Sequence, residues 1–156
     1  MLFRSALFSQ CGNDRQSFKN TYGTGLFVVA STGDEIPETN ELVNTIGWER
    51  NGKVEYAVEG SIFIGGSVIQ WLRDGLNLIN QASDSMELAN DLTTNEGVYF
   101  VPGLSGLGAP YWNANARGVL SGITRDTSPK EIVRATIEAV AYQTHDLFEE
   151  IGRAHV

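Results

Sequence analysis

The chain has very little cysteine. Cys11 is the single one in 156 residues, so no internal disulfide can form, and no cluster of Cys and His has metal-ligand spacing. A stapled secreted scaffold and a zinc module are both excluded on that ground, and Cys11 reads as a small semi-buried side chain. No run of eighteen or more apolar residues is present, and the N-terminus lacks the basic, apolar and small-residue succession of a signal peptide. The expectation is therefore a protein of the cytoplasm with no membrane partner. Positive charge is sparse as well: 11 Lys and Arg stand against 19 Asp and Glu, for a net charge of -8. The basic residues never cluster into a stripe that could track a phosphate backbone, which argues against nucleic acid. The Walker-type Gly-x-x-x-x-Gly-Lys-Ser/Thr loop is missing too, so the common phosphate-binding loop does not apply.

What the chain has is an ordinary globular composition, with 42% hydrophobic and 19% charged residues, and enough length for one domain with a real core. Glycine is enriched, at 17 residues, against a usual share of about 7%. Two glycines sit in the run from Asn20 to Ser31, where β-branched and aromatic residues predict two short strands around a tight turn. Asn51-Gly52 lies between the strand-like segments Val43–Trp48 and Lys53–Val58. That pair predicts a hairpin, because both central residues of a type I′ turn need positive φ.

From Ser61 to Ile79, Ile62, Gly65, Ile69, Leu72, Leu76 and Ile79 recur at helical spacing and predict a helix of about five turns. Gly66 and Gln70, four apart, share another part of its surface. A shorter helix is expected over Ser83–Leu92, a strand over Gly97–Val101, and a glycine-rich loop to about Gly118; long ordered loops are usually functional. The final helix is the best marked. Ser128-Pro129-Lys130-Glu131 combines an N-cap Ser, Pro at the first helical position and a capping-box Glu. Val133, Ile137, Val140, Ala141, Thr144, Leu147 and Phe148 then fall on one face. Strands and helices mixed within one unit place the chain in the α/β class.

Three stretches could carry chemistry. In Asn20-Thr21-Tyr22-Gly23-Thr24-Gly25 the glycines let backbone amides approach an anion, and the Thr24 hydroxyl can bond a phosphate oxygen; a plain glycine-rich hairpin turn is the competing reading. Gly66 and Gln70 could let a flat ring lie on the backbone while the amide reaches a polar edge. Gly65-Gly66 inside a helix costs about 1 kcal/mol per residue relative to Ala, so close packing or a ligand is needed to explain the pair, and close helix packing is the commoner explanation. Gly103–Trp112 reads first as a structural loop pinned by Tyr111 and Trp112. His145 sits near the edge of the last helix's apolar face, has no partner in sequence reach and receives no role.

In order and spacing these pieces resemble the glycerol kinases of the FGGY carbohydrate kinase family, from Ala6 to about Phe148. The resemblance is carried by Asn20–Gly25, Tyr56-Ala57-Val58-Glu59-Gly60-Ser61, Ile69-Gln70-Trp71-Leu72-Arg73-Asp74, Gly97-Val98-Tyr99-Phe100-Val101-Pro102 and Gly106–Trp112. It continues through Gly118-x-Leu120-x-Gly122-Ile123, seven residues, then Glu131-Ile132-x-x-Ala135-Thr136-Ile137-Glu138. The Gly-Leu-Gly-Ala-Pro-Tyr-Trp loop favours glycerol over xylulose or gluconate as acceptor.

The resemblance implies part of an actin-like, ribonuclease-H-like ATPase domain, the nucleotide-binding one, and an ATP-dependent phosphorylation of glycerol to glycerol 3-phosphate with Mg2+ on the phosphates. Carried over by residue, Gly23 and Thr24 would contact the phosphates, Gly66 and Gln70 would line the nucleotide site, and Phe27 would pack on the glycerol carbons. The catalytic carboxylate is not expected here, because Leu2 and Phe3 align with the family's Asp-Gln pair. The glycerol-binding first domain and the downstream Asp-Gly-Gly motif are expected to lie outside the chain as well. Asn113-Ala114-Asn115-Ala116 departs from the usual Asp-Pro-Tyr-Ala.

Leu2–Ser5 and Glu150–Val156 resemble translations of short sequencing adapters, so residues 6–149 are expected to be native and 1–5 and 150–156 foreign. The segment alone is expected to be inactive, and a homo-oligomeric state of the intact enzyme stays open. Two other readings remain: another sugar or polyol kinase of the family, acting on xylulose or gluconate, and a non-catalytic actin-like nucleotide-binding module.

Overall fold

The computed structural model describes residues 2–11 and 17–154. Met1, His155 and Val156, at the ends expected to be foreign, lie outside the described residues, as do Gly12–Gln16 within the span of the resemblance. Helix α1 (Leu2–Cys11) leads into β1 (Phe18–Tyr22), β2 (Leu26–Gly33), β3 (Val43–Arg50) and β4 (Lys53–Ile62). These four strands form one antiparallel sheet in the order β1-β2-β4-β3. Both hairpins expected from sequence are present. Asn51 and Gly52 hold φ of 54° and 76°, as the left-handed positions of a type I′ turn require.

The pleat sorts the side chains of the sheet. Leu26, Val28, Ala30, Val58 and Ile62 point to one face and bury against Leu147 and Ile151. Val29 and Ala57 point to the other, against Leu7, with Trp48 and Cys11 beside them. The sheet is thus sandwiched between α1 and α4 (Pro129–Ala154). Cys11 is half-buried and its Sγ lies 3.6 Å from the Phe18 carbonyl it donates to.

The long helix expected over 61–79 is corrected. Residues 61 and 62 complete β4, where Ile62 pairs with Leu26, and the helix, α2, covers only Ser67–Asp74. Sheet pairing decides this: the apolar repeat through Ile62 is satisfied by the strand. Gly65 and Gly66 come before the first helical residue, so they cost the helix nothing. The helix stops where the Gly75 and Leu76 amides both bond the Trp71 carbonyl, and Asn77 follows at φ 55°.

Helix α3 (Asp84–Asn90) and strand β5 (Tyr99–Val101) fall within the expected segments. Strand β6 (Val119–Ser121), paired antiparallel with β5, was not legible, since three residues are too short for a period. Trp71 of α2 stacks on Phe100 of β5, with centroids 5.4 Å apart and 6° between the planes.

Helix α4 starts as its sequence dictates. The Ser128 N–H donates to Glu131 Oε2 at 2.7 Å, the Ser128 hydroxyl to the same oxygen at 2.6 Å, and the Lys130 N–H to Ser128 Oγ at 3.3 Å. The hydroxyl bond is the main reason the Glu131 carboxyl is held below its ordinary range. The buried face of α4 is broader than the expected stripe. Ala135, Thr136 and Ala139 are buried with Val133, Thr144, Leu147 and Ile151, whereas Ala141 is exposed. The reason is that α4 packs on two partners. Its C-terminal half meets the sheet, and Ala135 and Ala139 meet Val68, Val98 and Phe100. Among the described residues no helix is long and apolar enough to cross a membrane.

Candidate functional site

The β1–β2 turn and the start of α2 are built against each other mainly through backbone. The Gly65 N–H donates to the Thr24 carbonyl at 2.8 Å, the Gly66 N–H to the Gly23 carbonyl at 2.7 Å and the Ser67 N–H to the Thr24 carbonyl at 3.2 Å. The Ser67 hydroxyl adds a bond to that carbonyl at 2.8 Å. Glycine is needed for this approach at Gly66, where a Cβ would stand 2.8 Å from the Gly23 carbonyl oxygen, and at Gly25, where one would stand 2.6 Å from the Ile62 carbonyl oxygen. At Gly23 the situation differs, because a Cβ there would meet nothing closer than the Gly25 carbonyl oxygen at 3.6 Å.

Internal packing therefore accounts for Gly25 and Gly66 but not for Gly23. The amides of residues 65, 66 and 67 are consumed by the turn and are not available to an anion. Thr24 is exposed, and among the described residues neither its N–H nor its hydroxyl has a partner. An anion reaching this surface would meet Thr24, with the uncovered face of Gly23 beside it.

Of the four residues proposed as one group from sequence, Gly23, Thr24 and Gly66 are joined by the contact between the turn and the start of α2. Gln70 is exposed on α2, four residues after Gly66 and hence on the same face. Phe27 is half-buried on β2, opposite Thr21 on one side and Ser61 on the other. By the pleat it shares the face of Val29 rather than that of Leu26 and Val28. It lies three residues beyond Thr24 but not in the contact between the turn and α2. His145 is exposed on α4.

The 103–118 loop is pinned by the two residues expected to pin it, with partners that sequence could not name. The Tyr111 hydroxyl donates to Asp146 Oδ2 at 2.7 Å, and the Trp112 indole N–H donates to the Glu41 carbonyl at 2.7 Å. The loop also docks on the sheet, since the Ala109 N–H donates to the Ser61 carbonyl at 2.8 Å. β3 begins its pairing only at Glu59 of β4, so this bond takes up the edge that β3 leaves open.

The Asp146 carboxylate accepting its proton is the first cause that pushes the Tyr111 phenol up to about 12 from its ordinary 10.0. A raised folded-state pKa means that the unfolded chain ionises first. The contribution of this bond is complete below pH 10 and is lost as pH rises toward 12. In alkaline titrations of stability, Tyr111→Phe should flatten the decline between those values. An unchanged slope would show that the bond does not form in solution.

Comparison with known proteins agrees with this architecture. The model of the FGGY family of carbohydrate kinases, C-terminal domain, matches residues 18–155. A glycerol kinase of Thermococcus gammatolerans is 53% identical over 150 residues, which is 96% of this chain and 30% of that protein. One from Aquifex aeolicus is 52% identical over 152 residues, with the same coverage. Among solved structures, the glycerol kinase of Plasmodium falciparum with ADP superposes at a TM-score of 0.88 with 35% identity, over 97% of this chain and 30% of that one. A ligand-bound xylulose kinase from Lactobacillus acidophilus superposes at 0.72 with 25% identity, over 86% of this chain and 27% of the other. The chain thus spans about 30% of the length of these glycerol kinases. Its mixed α/β architecture is that of the actin-like ATPases, and the chain belongs to the FGGY family of carbohydrate kinases, as part of the family's C-terminal domain.

Proposed function

We propose that this chain is the nucleotide-facing part of a glycerol kinase, which transfers the γ-phosphoryl group of ATP to a terminal hydroxyl of glycerol. The observation that carries the reading is identity of about half of all positions, across 96% of the chain, to proteins named as glycerol kinases. The geometry supports the nucleotide half of it. Gly23 has room on its α-carbon for a Cβ without a clash and stands beside the Thr24 donors that have no partner among the described residues. In this reading Thr24 donates to a phosphate oxygen, Gly23 gives the phosphate room to approach, and Gly66 and Gln70 flank the rest of the nucleotide. Phe27 offers an apolar surface to the glycerol carbons.

Catalysis of such a transfer consists of positioning and charge stabilisation, with a carboxylate that accepts the hydroxyl proton. That carboxylate is proposed to lie outside these residues. Among the described residues no group of three or more His, Cys, Asp or Glu converges; Mg2+ in such a reaction would be held chiefly by the phosphate oxygens of ATP with one or two carboxylates. The intact enzyme is proposed to work in the cytoplasm on glycerol and ATP.

The test is a phosphoryl-transfer assay on the full-length polypeptide, with glycerol, xylulose and gluconate as acceptors. Glycerol should be preferred; preference for either other acceptor would move the chain to another kinase of the family, and no transfer with any of them would defeat the reading. Gly23→Ala separates ligand from packing. It should leave stability within about 0.5 kcal/mol, while the KM for ATP rises by about tenfold or more, because the methyl group fills the space through which a phosphate approaches. An unchanged KM would remove Gly23 from the site.

A further inference from the structure

The loop that closes on the sheet edge also reaches the turn that carries Thr24, through one aromatic contact. Trp112 sits at φ 45°, a left-handed conformation that a bulky side chain seldom adopts and that persists only where the surroundings enforce it. What enforces it is visible. Its indole N–H is bonded to the Glu41 carbonyl, its own backbone N–H donates to the Gly108 carbonyl at 2.8 Å, and its ring meets Phe63 edge-on with centroids 6.4 Å apart.

Phe63 follows the last residue of β4, where the chain turns toward α2. The Phe63 ring also lies close to Gly108, 3.1 Å from where a Cβ would stand. The Ile62 and Phe63 carbonyl oxygens are the surface on which Gly25 rests, at 2.6 and 3.1 Å from the place of its missing Cβ. A contiguous path therefore runs from Trp112 through Phe63 to Gly25, and so to Thr24.

We propose that Trp112 is a positioning residue for the phosphate-facing turn: by holding Phe63 against the loop it fixes the backbone on which Gly25 rests, and with it the position of Thr24. This rests on the nucleotide reading for its consequence but not for its geometry. Both pins of the loop are 2.7 Å bonds, yet they differ in what they reach. Tyr111 ties the loop to Asp146 on α4, whereas Trp112 sets its ring edge-on against Phe63. Loosening Trp112 should be felt at the turn, and loosening Tyr111 should not.

The experiment reads hydrogen exchange at individual amides of the full-length polypeptide, together with ADP affinity. The Gly65 and Gly66 amides report the turn, since they are bonded to the Thr24 and Gly23 carbonyls; amides of the β3–β4 hairpin serve as the internal reference. Trp112→Ala should speed exchange at Gly65 and Gly66 by about tenfold, the upper range for loss of one aromatic pair. The hairpin should be unaffected and ADP affinity should fall by a similar factor. Trp112→Phe, which keeps a ring against Phe63, should restore most of the protection, and Tyr111→Phe should leave both amides at the wild-type rate.

Unchanged exchange at Gly65 and Gly66 in Trp112→Ala would overturn the proposal. So would a rise spread equally over the hairpin, or an equal rise in Tyr111→Phe. If the exchange pattern is as expected but the wild-type polypeptide binds no ADP, the brace stands and the nucleotide reading fails.

Discussion

Replacing Gly108 by alanine is expected to cost about 2–4 kcal/mol of stability, since overpacking against a surface that cannot give way is strongly unfavourable. The added methyl carbon would stand 2.1 Å from the Ser61 carbonyl oxygen. That oxygen belongs to strand backbone paired on its other side with Phe27, so it cannot rotate away as a side chain could. The loop must lift instead. Lifting breaks the bond from the Ala109 N–H to the same carbonyl and withdraws Ala109, which is 4% exposed, from the cluster around Leu26, Ile62 and Leu147. It also displaces the Gly108 carbonyl, which accepts from both the Tyr111 and Trp112 amides at 2.9 and 2.8 Å. Urea unfolding of the full-length polypeptide measures the effect. A loss below about 0.5 kcal/mol, the range of an indifferent surface change, would mean that the loop does not sit on the sheet as described.

Much of this was readable from the residues, for identifiable reasons. The Asn51-Gly52 turn and the Ser128–Glu131 cap could be placed because their signals are local: positive φ in one case, a side chain reaching three residues in the other. The glycines at 23, 25 and 66 are conspicuous in the sequence, which does not divide them. Only the distances separate Gly25 and Gly66, which the chain itself needs, from Gly23, which it does not.

The helix expected over 61–79 failed for the opposite reason. Ile62, Ile69, Leu72 and Ile79 satisfy a helical repeat while Ile62 in fact serves the sheet, and a periodicity argument cannot see a partner strand more than thirty residues away. The same limit hid Asp146 and Glu41 as the partners of Tyr111 and Trp112, which lie 35 and 71 residues distant. It also hid the alanines of α4, whose small side chains carry little weight in an apolar pattern although they let β5 and α2 approach the helix.

The packing of α4 on the sheet can be tested as a pair. Leu147 is fully buried, and a Cβ at Gly60 of β4 would stand 2.1 Å from its Cδ1 and 3.1 Å from its Cγ and Cδ2. Leu147→Ala should cost about 3 kcal/mol, as large-to-small changes in cores do. Gly60→Ala should cost about 1–3 kcal/mol by forcing Leu147 out of its rotamer. The two changes are not independent. With Leu147 shortened, the clash is gone and the new methyl group occupies part of the vacated space. The double variant should therefore be more stable than the sum of the single losses predicts, by about 1–2 kcal/mol, the coupling typical of touching side chains. Gly60→Ala combined with Leu72→Ala provides the reference. Leu72 packs in a separate cluster with Ile79 and Val133, so those two losses should add within about 0.5 kcal/mol. Additivity in both pairs would mean that Leu147 does not lie over Gly60. Coupling confined to the first pair would fix α4 against β4 at the one place where the strand has no side chain, with Leu147 filling the space that a Cβ at Gly60 would take.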